Sequence, residues 1–188
     1  MNKKNILSTI IVFTSLLIIS CSNNDKFEIE KGKVGKLTTT TKIDQLDAIF
    51  KNDSIVKNLS EGAQGNNYFQ EDDEYLIYEK GGKLLLTIMP KEQLDSTSTI
   101  KSIEIHDPRF ITNSGVNLNA SFSEINSNNT INRIERTFSS ATLFIDDFNA
   151  TITIDNEELG LKDFNTQKVT LAQIPDLAKM KSFTVWFH

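Results

Sequence analysis

Few residues in this chain could attack or protonate a substrate. Histidine, the usual general base of nucleophilic catalysis, occurs only at His106 and His188. Asp107 follows His106 directly, but successive residues at a strand end point to opposite sides, so we expect no orienting contact between them. No Gly-x-Ser-x-Gly motif is present. We therefore interpret His106 as a structural or surface residue and predict no catalytic residue.

Metal binding has equally little support in the sequence. Two histidines cannot form a three-histidine zinc site, and no His-Glu-x-x-His motif is present. The acidic stretches 71–74 and 155–158 could attract calcium, but neither has the residue order of a dedicated calcium loop. We interpret both as solvated turns and predict neither a metal nor a cofactor. A hydrolase using two of the 25 acidic residues stays an open alternative.

Aromatic residues on predicted strands could form a stacking platform for sugars or peptides. These residues are Tyr75, Tyr78, Phe183, Trp186 and Phe187. Alternation along the last strand places Phe183, Val185 and Phe187 on one face and Trp186 on the other. We therefore predict a core-facing apolar side and an outward Trp186, which is our candidate binding residue.

Two serines are candidates for covalent modification. Ser54 and Ser96 each follow an aspartate and precede an apolar or β-branched residue. These short motifs resemble the acid-hydroxyl-apolar sites that carry O-linked glycans in exported proteins of some Gram-negative bacteria. Ser54 could instead cap the end of a helix.

The amino terminus predicts export and a lipid anchor. Lys3 and Lys4 precede an apolar run of 14 residues, Ile6–Ile19, which is too short to span a membrane comfortably. Ser20 then precedes the only cysteine, Cys21, so residues 1–20 are typical of a signal peptide. The junction resembles the lipobox of bacterial lipoproteins, which implies diacylglycerol on Cys21 and an acylated amino terminus. Residues 21–26 would form a short tether to a globular domain, 27–188.

Composition limits the partners and the number of domains. Removing residues 1–20 leaves 168 residues and changes the formal net charge from −5 to −7. Such a charge disfavours nucleic acid, which needs clustered cations, so attachment to the membrane would rest on the acyl chains. With Cys21 acylated no thiol remains, so packing of the 12 phenylalanines and other apolar residues must hold a single domain together.

The elements predict an α+β fold, mainly antiparallel β-sheet with one or two short helices. Gly81-Gly82 between two apolar runs predicts a tight two-residue hairpin. Strands are also expected at 100–105, 141–145, 150–154 and 181–187. Thr41 and Ser121 each begin a capping-box pattern, which predicts a helix of about ten residues and a shorter one of about two turns.

Three segments resemble small uncharacterised lipoproteins that Gram-negative bacteria export to the envelope. They are the opening at 34–56, the middle stretch Ile105–Thr112 with Gly115 and Ser121, and Ile174–Met180 before the last strand. This resemblance implies a fold and an outer-membrane address, facing the periplasm or the cell surface, and implies no catalytic residue. We therefore expect a non-enzymatic envelope binding module whose partner is a protein or glycan. The alternatives are a carboxylate-dependent hydrolase or carbohydrate-processing accessory, and an inhibitor or immunity-type protein against a secreted toxin or lytic enzyme.

Overall fold

The computed structural model describes residues 26–60, 72–161 and 169–187 of the chain. Over these ranges the fold is α+β and mainly antiparallel sheet, with two short α-helices in a single domain, which confirms the predicted fold class. Within the described ranges, no helix is long and apolar enough to cross a bilayer. The strands are β1 (Glu28–Glu30), β2 (Lys33–Val34), β3 (Leu37–Thr38), β4 (Ser54–Asn58), β5 (Glu74–Tyr78), β6 (Leu84–Pro90), β7 (Ile100–Ile105), β8 (Ile111–Thr112), β9 (Ile131–Arg136), β10 (Ser140–Ile145), β11 (Ala150–Asp155) and β12 (Ser182–Trp186), and the helices are α1 (Leu46–Ile49) and α2 (Phe122–Asn128).

The dominant element is an eight-stranded sheet in the order β4-β5-β6-β7-β12-β11-β10-β9. Every neighbouring pair in it is antiparallel. The last strand of the chain, β12, lies between β7 and β11 and so joins the two halves of the sheet. The residues of β12 therefore occupy the middle of the sheet, where its backbone is paired on both sides.

One face of this sheet carries the hydrophobic core. Its central row, Tyr75, Ile88, Ile103, Val185, Ala150 and Ile145, is continuous in register and buried throughout. The four-stranded sheet β3-β2-β1-β8 and both helices contribute Val34, Leu46 and Ile125 to the same cluster. The buried apolar residues of the described ranges run from Ile29 to Phe187. A chain that begins at Ser22 therefore contains the whole of this core and every strand pairing.

The Gly81-Gly82 hairpin forms between β5 and β6, but its loop is longer than the sequence predicts. Gly81 and Gly82 have φ angles of +115° and +90°. The Glu79 N–H donates to the Lys83 carbonyl, and the Gly82 N–H donates to the Glu79 carbonyl. The last hydrogen-bonded pair of the hairpin is therefore Glu79 and Lys83, and the three residues 80–82 form the loop between them. The two-residue turn was a wrong prediction, because the register shifts between Ile77 and Tyr78.

The two helices differ in how well their capping patterns predict them. Helix α2 begins after Ser121, whose N–H donates to Glu124 Oε2 at 2.7 Å, as the capping box predicts. The first helical segment is a 3-10 turn followed by the four residues of α1, which is shorter than predicted. Thr41 does not cap it, because its Oγ1 accepts from the Thr38 N–H instead. Lys42, one residue after Thr41, begins the helical segment instead, and its N–H donates to Gln45 Oε1 at 2.9 Å.

Candidate functional site: the outer face of the large sheet

The face of the large sheet opposite the core is the candidate site, and we call it the outer face. Its central row joins residues that lie opposite one another across all eight strands: Val56, Leu76, Thr87, Glu104, Thr184, Thr151, Phe144 and Arg133. Only Thr87 in this row is buried. The outer face thus combines hydroxyl groups, aromatic rings and charges, whereas the inner face is apolar.

Trp186 lies on the outer face near the middle of the sheet. It is half-buried, while Phe183, Val185 and Phe187 are fully buried, as alternation predicts. The indole Nε1–H donates to Thr151 Oγ1 at 3.0 Å, and Asn149 Nδ2 donates to the Trp186 carbonyl at 2.8 Å. The bond to Thr151 holds the ring against the neighbouring strand β11, and part of the ring stays accessible. Its role in binding stays a prediction.

A second aromatic group extends this face toward strand β9. The Arg133 guanidinium lies 3.9 Å from the centre of the Phe144 ring, in cation–π geometry. Arg133 Nη1 also lies 3.1 Å from Glu135 Oε1. Sequence reasoning missed Phe144 as a site residue, although its alternation with Leu143 and Ile145 on a predicted strand places it outward.

The predicted aromatic platform is smaller than five residues. Tyr75, Phe183 and Phe187 are buried in the core, so they cannot stack on a ligand. Tyr78 and Trp186 are the half-buried members of the set. Alternation sends the residues of one strand to both faces of the sheet, so these five rings never share a single surface.

His106 lies at the edge of the outer face, where its ring contacts Thr87 and not Asp107. Its Nε2 lies 2.9 Å from Thr87 Oγ1 and 3.9 Å from Glu104 Oε2. Asp107 is turned away from it and accepts from the Arg109 backbone N–H at 2.9 Å. The structure therefore shows no orienting carboxylate from Asp107 on His106.

Asp107 is instead the centre of an ion-pair network. Its side chain has no exposed surface and lies 2.9 Å from Lys83 Nζ and 2.7 Å from Arg109 Nη2. Arg109 also donates to both carboxylate oxygens of Glu79, at 3.0 and 2.8 Å. Burial alone would raise the pKa of Asp107, but Arg109 and Lys83 outweigh it and hold this pKa well below the ordinary value. Asp107 is therefore charged at neutral pH and ties the 79–83 hairpin loop to the turn after β7.

The buried carboxylate of Asp73 is also structural. It accepts from the Ser60 N–H at 2.7 Å and from the Leu94 N–H at 2.5 Å. Burial opposes its ionisation, but these backbone donors prevail and lower the pKa of Asp73. In the other acidic stretch, Asn156 is buried and accepts from Arg136 Nη2. Among the described residues, no group of three or more His, Cys, Asp or Glu could hold a metal ion.

The predicted modification sites fall in different places. Ser54 is exposed at the start of the edge strand β4. Ser96 is exposed in the loop before β7, where its carbonyl accepts from the Asp44 N–H. Both hydroxyls are accessible, and their glycosylation stays a prediction. Cys21 and His188 lie outside the described residues.

Fold and site together define a single-domain, β-rich α+β protein with one open sheet face. No protein-family model matches the chain, and no curated protein matches it. Among solved structures, the chain is similar to the uncharacterized protein yfeY from Escherichia coli, with 13% sequence identity and a TM-score of 0.49. The match covers 86% of this chain and 99% of that one.

Proposed function

We propose that this protein is a non-enzymatic binding module, held at the outer membrane by lipids on Cys21, and that its outer face binds an envelope glycan or protein. The observation that carries the binding proposal is the position of Trp186. Its half-buried ring is fixed by a hydrogen bond, on the central strand of a sheet whose other face is packed. A rigid aromatic ring loses little conformational entropy on binding.

The chemistry around Trp186 suits a ligand with both apolar and polar groups. The ring offers a stacking surface, and Thr151 and Thr184 in the next row provide hydroxyl groups that donate and accept. Glu104 adds a carboxylate beside Thr184. Sugar rings present C–H faces and hydroxyl edges, so a glycan meets both kinds of group.

The amino-terminal sequence supports the proposed address. A positive start, an apolar run of 14 residues and Ser20 before Cys21 together favour export and acylation. Several acyl chains on one residue would satisfy the two-signal requirement for stable membrane anchoring. The proposal covers both sides of the outer membrane: the domain faces either the periplasm or the cell surface.

The test is capture of envelope components by the chain Ser22–His188, immobilised on beads and compared with Trp186→Ala. Phe138→Ala is the matched control, because Phe138 is 67% exposed and lies in the β9–β10 turn, outside the strands that form the outer face. We expect a glycan or protein that wild type and Phe138→Ala retain and that Trp186→Ala loses. Equal capture by all three proteins would contradict the assignment of the outer face.

A further inference from the structure

A cavity of about 140 Å³ lies beside the point where the described chain begins. Its apolar lining residues include Val34, Ile49, Phe50, Leu86 and Phe110. An engineered apolar cavity of about 150 Å³ accepts benzene, so this volume suits an apolar group of about six carbons. None of the residues of the outer face lines it.

The rim of this cavity is basic in an acidic protein. Lys26, Lys36 and Lys51 line it, and Asp53 is the one acidic residue among its lining. The rim therefore has a formal charge of +2, whereas the chain has −5. Such a reversal of sign at the mouth of an apolar cavity favours an anion with an apolar body.

The lysines differ in how far they are already paired. Lys26 Nζ lies 4.0 Å from Glu79 Oε1 and 5.2 Å from the centre of the Phe27 ring. Lys36 and Lys51 are exposed, and neither has a carboxylate within 4.0 Å among the described residues. Lys36 and Lys51 are thus the cations most available to a ligand.

The backbone beside the rim is closely packed. Gly35 has a φ of +54°, and its N–H donates to the Glu28 carbonyl at 2.7 Å. A Cβ at this position would collide with the Lys26 carbonyl, so only glycine allows the backbone of residue 35 to lie this close to Lys26. This contact fixes two of the lining residues, Lys26 and Gly35, against each other before any ligand arrives.

We propose that this cavity binds an apolar monocarboxylate with a body of about six carbons. The apolar body packs against Phe50 and Phe110, and the carboxylate lies at the rim beside Lys36 and Lys51. The proposal rests on the cavity and its charge, independently of the outer face and of the lipid anchor.

The test is a titration of the chain Ser22–His188 with hexanoate, followed by methyl NMR. The Ile49 and Leu86 methyl groups should shift saturably, and the methyl groups of Ile152, in the core away from the cavity lining, should not. Hexylamine has the same apolar body and the opposite charge, so it should bind at least about tenfold more weakly.

Two variants separate the charge from the cavity. Lys36→Gln with Lys51→Gln should weaken hexanoate at least about fivefold. The matched control, Lys91→Gln with Lys101→Gln, changes two exposed lysines outside the lining and should bind as wild type does. Ile49→Trp should block the cavity from its half-buried wall position. The absence of saturable shifts, equal binding of hexylamine, or equal loss in both lysine pairs would overturn the proposal.

Discussion

Asp107→Asn should destabilise the protein strongly, although no binding or catalytic role is predicted for Asp107. In the folded state its buried carboxylate accepts three hydrogen bonds from Arg109 and lies 2.9 Å from Lys83 Nζ. An amide keeps one acceptor, but it turns an NH₂ group toward cations, removes the carboxylate that faces Lys83, and leaves Arg109 with Glu79 alone. Breaking a buried pair costs about 3–5 kcal/mol, and the exposure of Arg109 and Lys83 lowers the expectation to about 2–3 kcal/mol.

The pH dependence follows from the lowered pKa of Asp107. A carboxylate whose pKa is lower in the folded state stabilises that state above the unfolded pKa of about 3.9, and this stabilisation is lost as the pH falls toward the folded value. The difference between wild type and Asp107→Asn should therefore be full at pH 7 and should shrink progressively below about pH 4.

Urea unfolding of the chain Ser22–His188 measures both effects, with Trp186, the only tryptophan, as the fluorescent probe. Glu79→Gln is the control. Glu79 binds the same Arg109 from a half-buried position, so this substitution should cost much less than Asp107→Asn. If the unfolding free energy of Asp107→Asn at pH 7 lay within about 0.5 kcal/mol of wild type, the ion-pair network would not stabilise the fold as argued. A difference that stayed constant from pH 7 to pH 3 would refute the electrostatic explanation.

Three further predictions concern the anchor, the hairpin and the tryptophan. Cys21→Ala should release the protein from the membrane fraction, and a variant that stayed bound after a salt wash would instead indicate an uncleaved apolar anchor. Gly81→Val and Gly82→Val should each destabilise the domain by about 1–2 kcal/mol, because a β-branched residue is strained at positive φ, whereas Asn should be tolerated better; equal unfolding midpoints would contradict this. Acrylamide should quench the fluorescence of Trp186 partly, at a rate between those of a free and a fully buried indole, and unquenched emission would remove Trp186 from the outer-face proposal.

Local signals allowed much of the fold to be predicted from the sequence. The strands β5, β6, β10 and β11 are joined by short turns to their partners, so alternation and turn residues were sufficient. Strand β12 was predicted from alternation alone. The strands that pair with β12 could not be predicted, because its pairing with β7 and β11 brings together residues that are far apart in the chain.

The two edge strands were missed because their sequences lack a clean period of two. In β9, Arg133 lies opposite Phe144 and Ile131 lies opposite Ile145, so one residue is inserted between them. This bulge separates the inward residues Ile131 and Ile134 by three positions and hides the alternation. The charges of β9 and the exposed residues of β4 suit edge strands, which must resist pairing with other chains.

The outer face could not be predicted, because it is a property of register and not of any one segment. Thr87 and Glu104 pair directly between β6 and β7, but they are joined to Thr151 only when β12, with Thr184, enters the middle of the sheet. Alternation shows that Trp186 points away from the core, but it does not show which residues surround it. The same insertion of β12 buries Phe183 and Phe187 on the inner face, so the candidate binding residue lies on a strand whose other side is fully packed. A ligand bound there would meet a surface that needs no ordering, which is the physical reason to seek the partner on this face first.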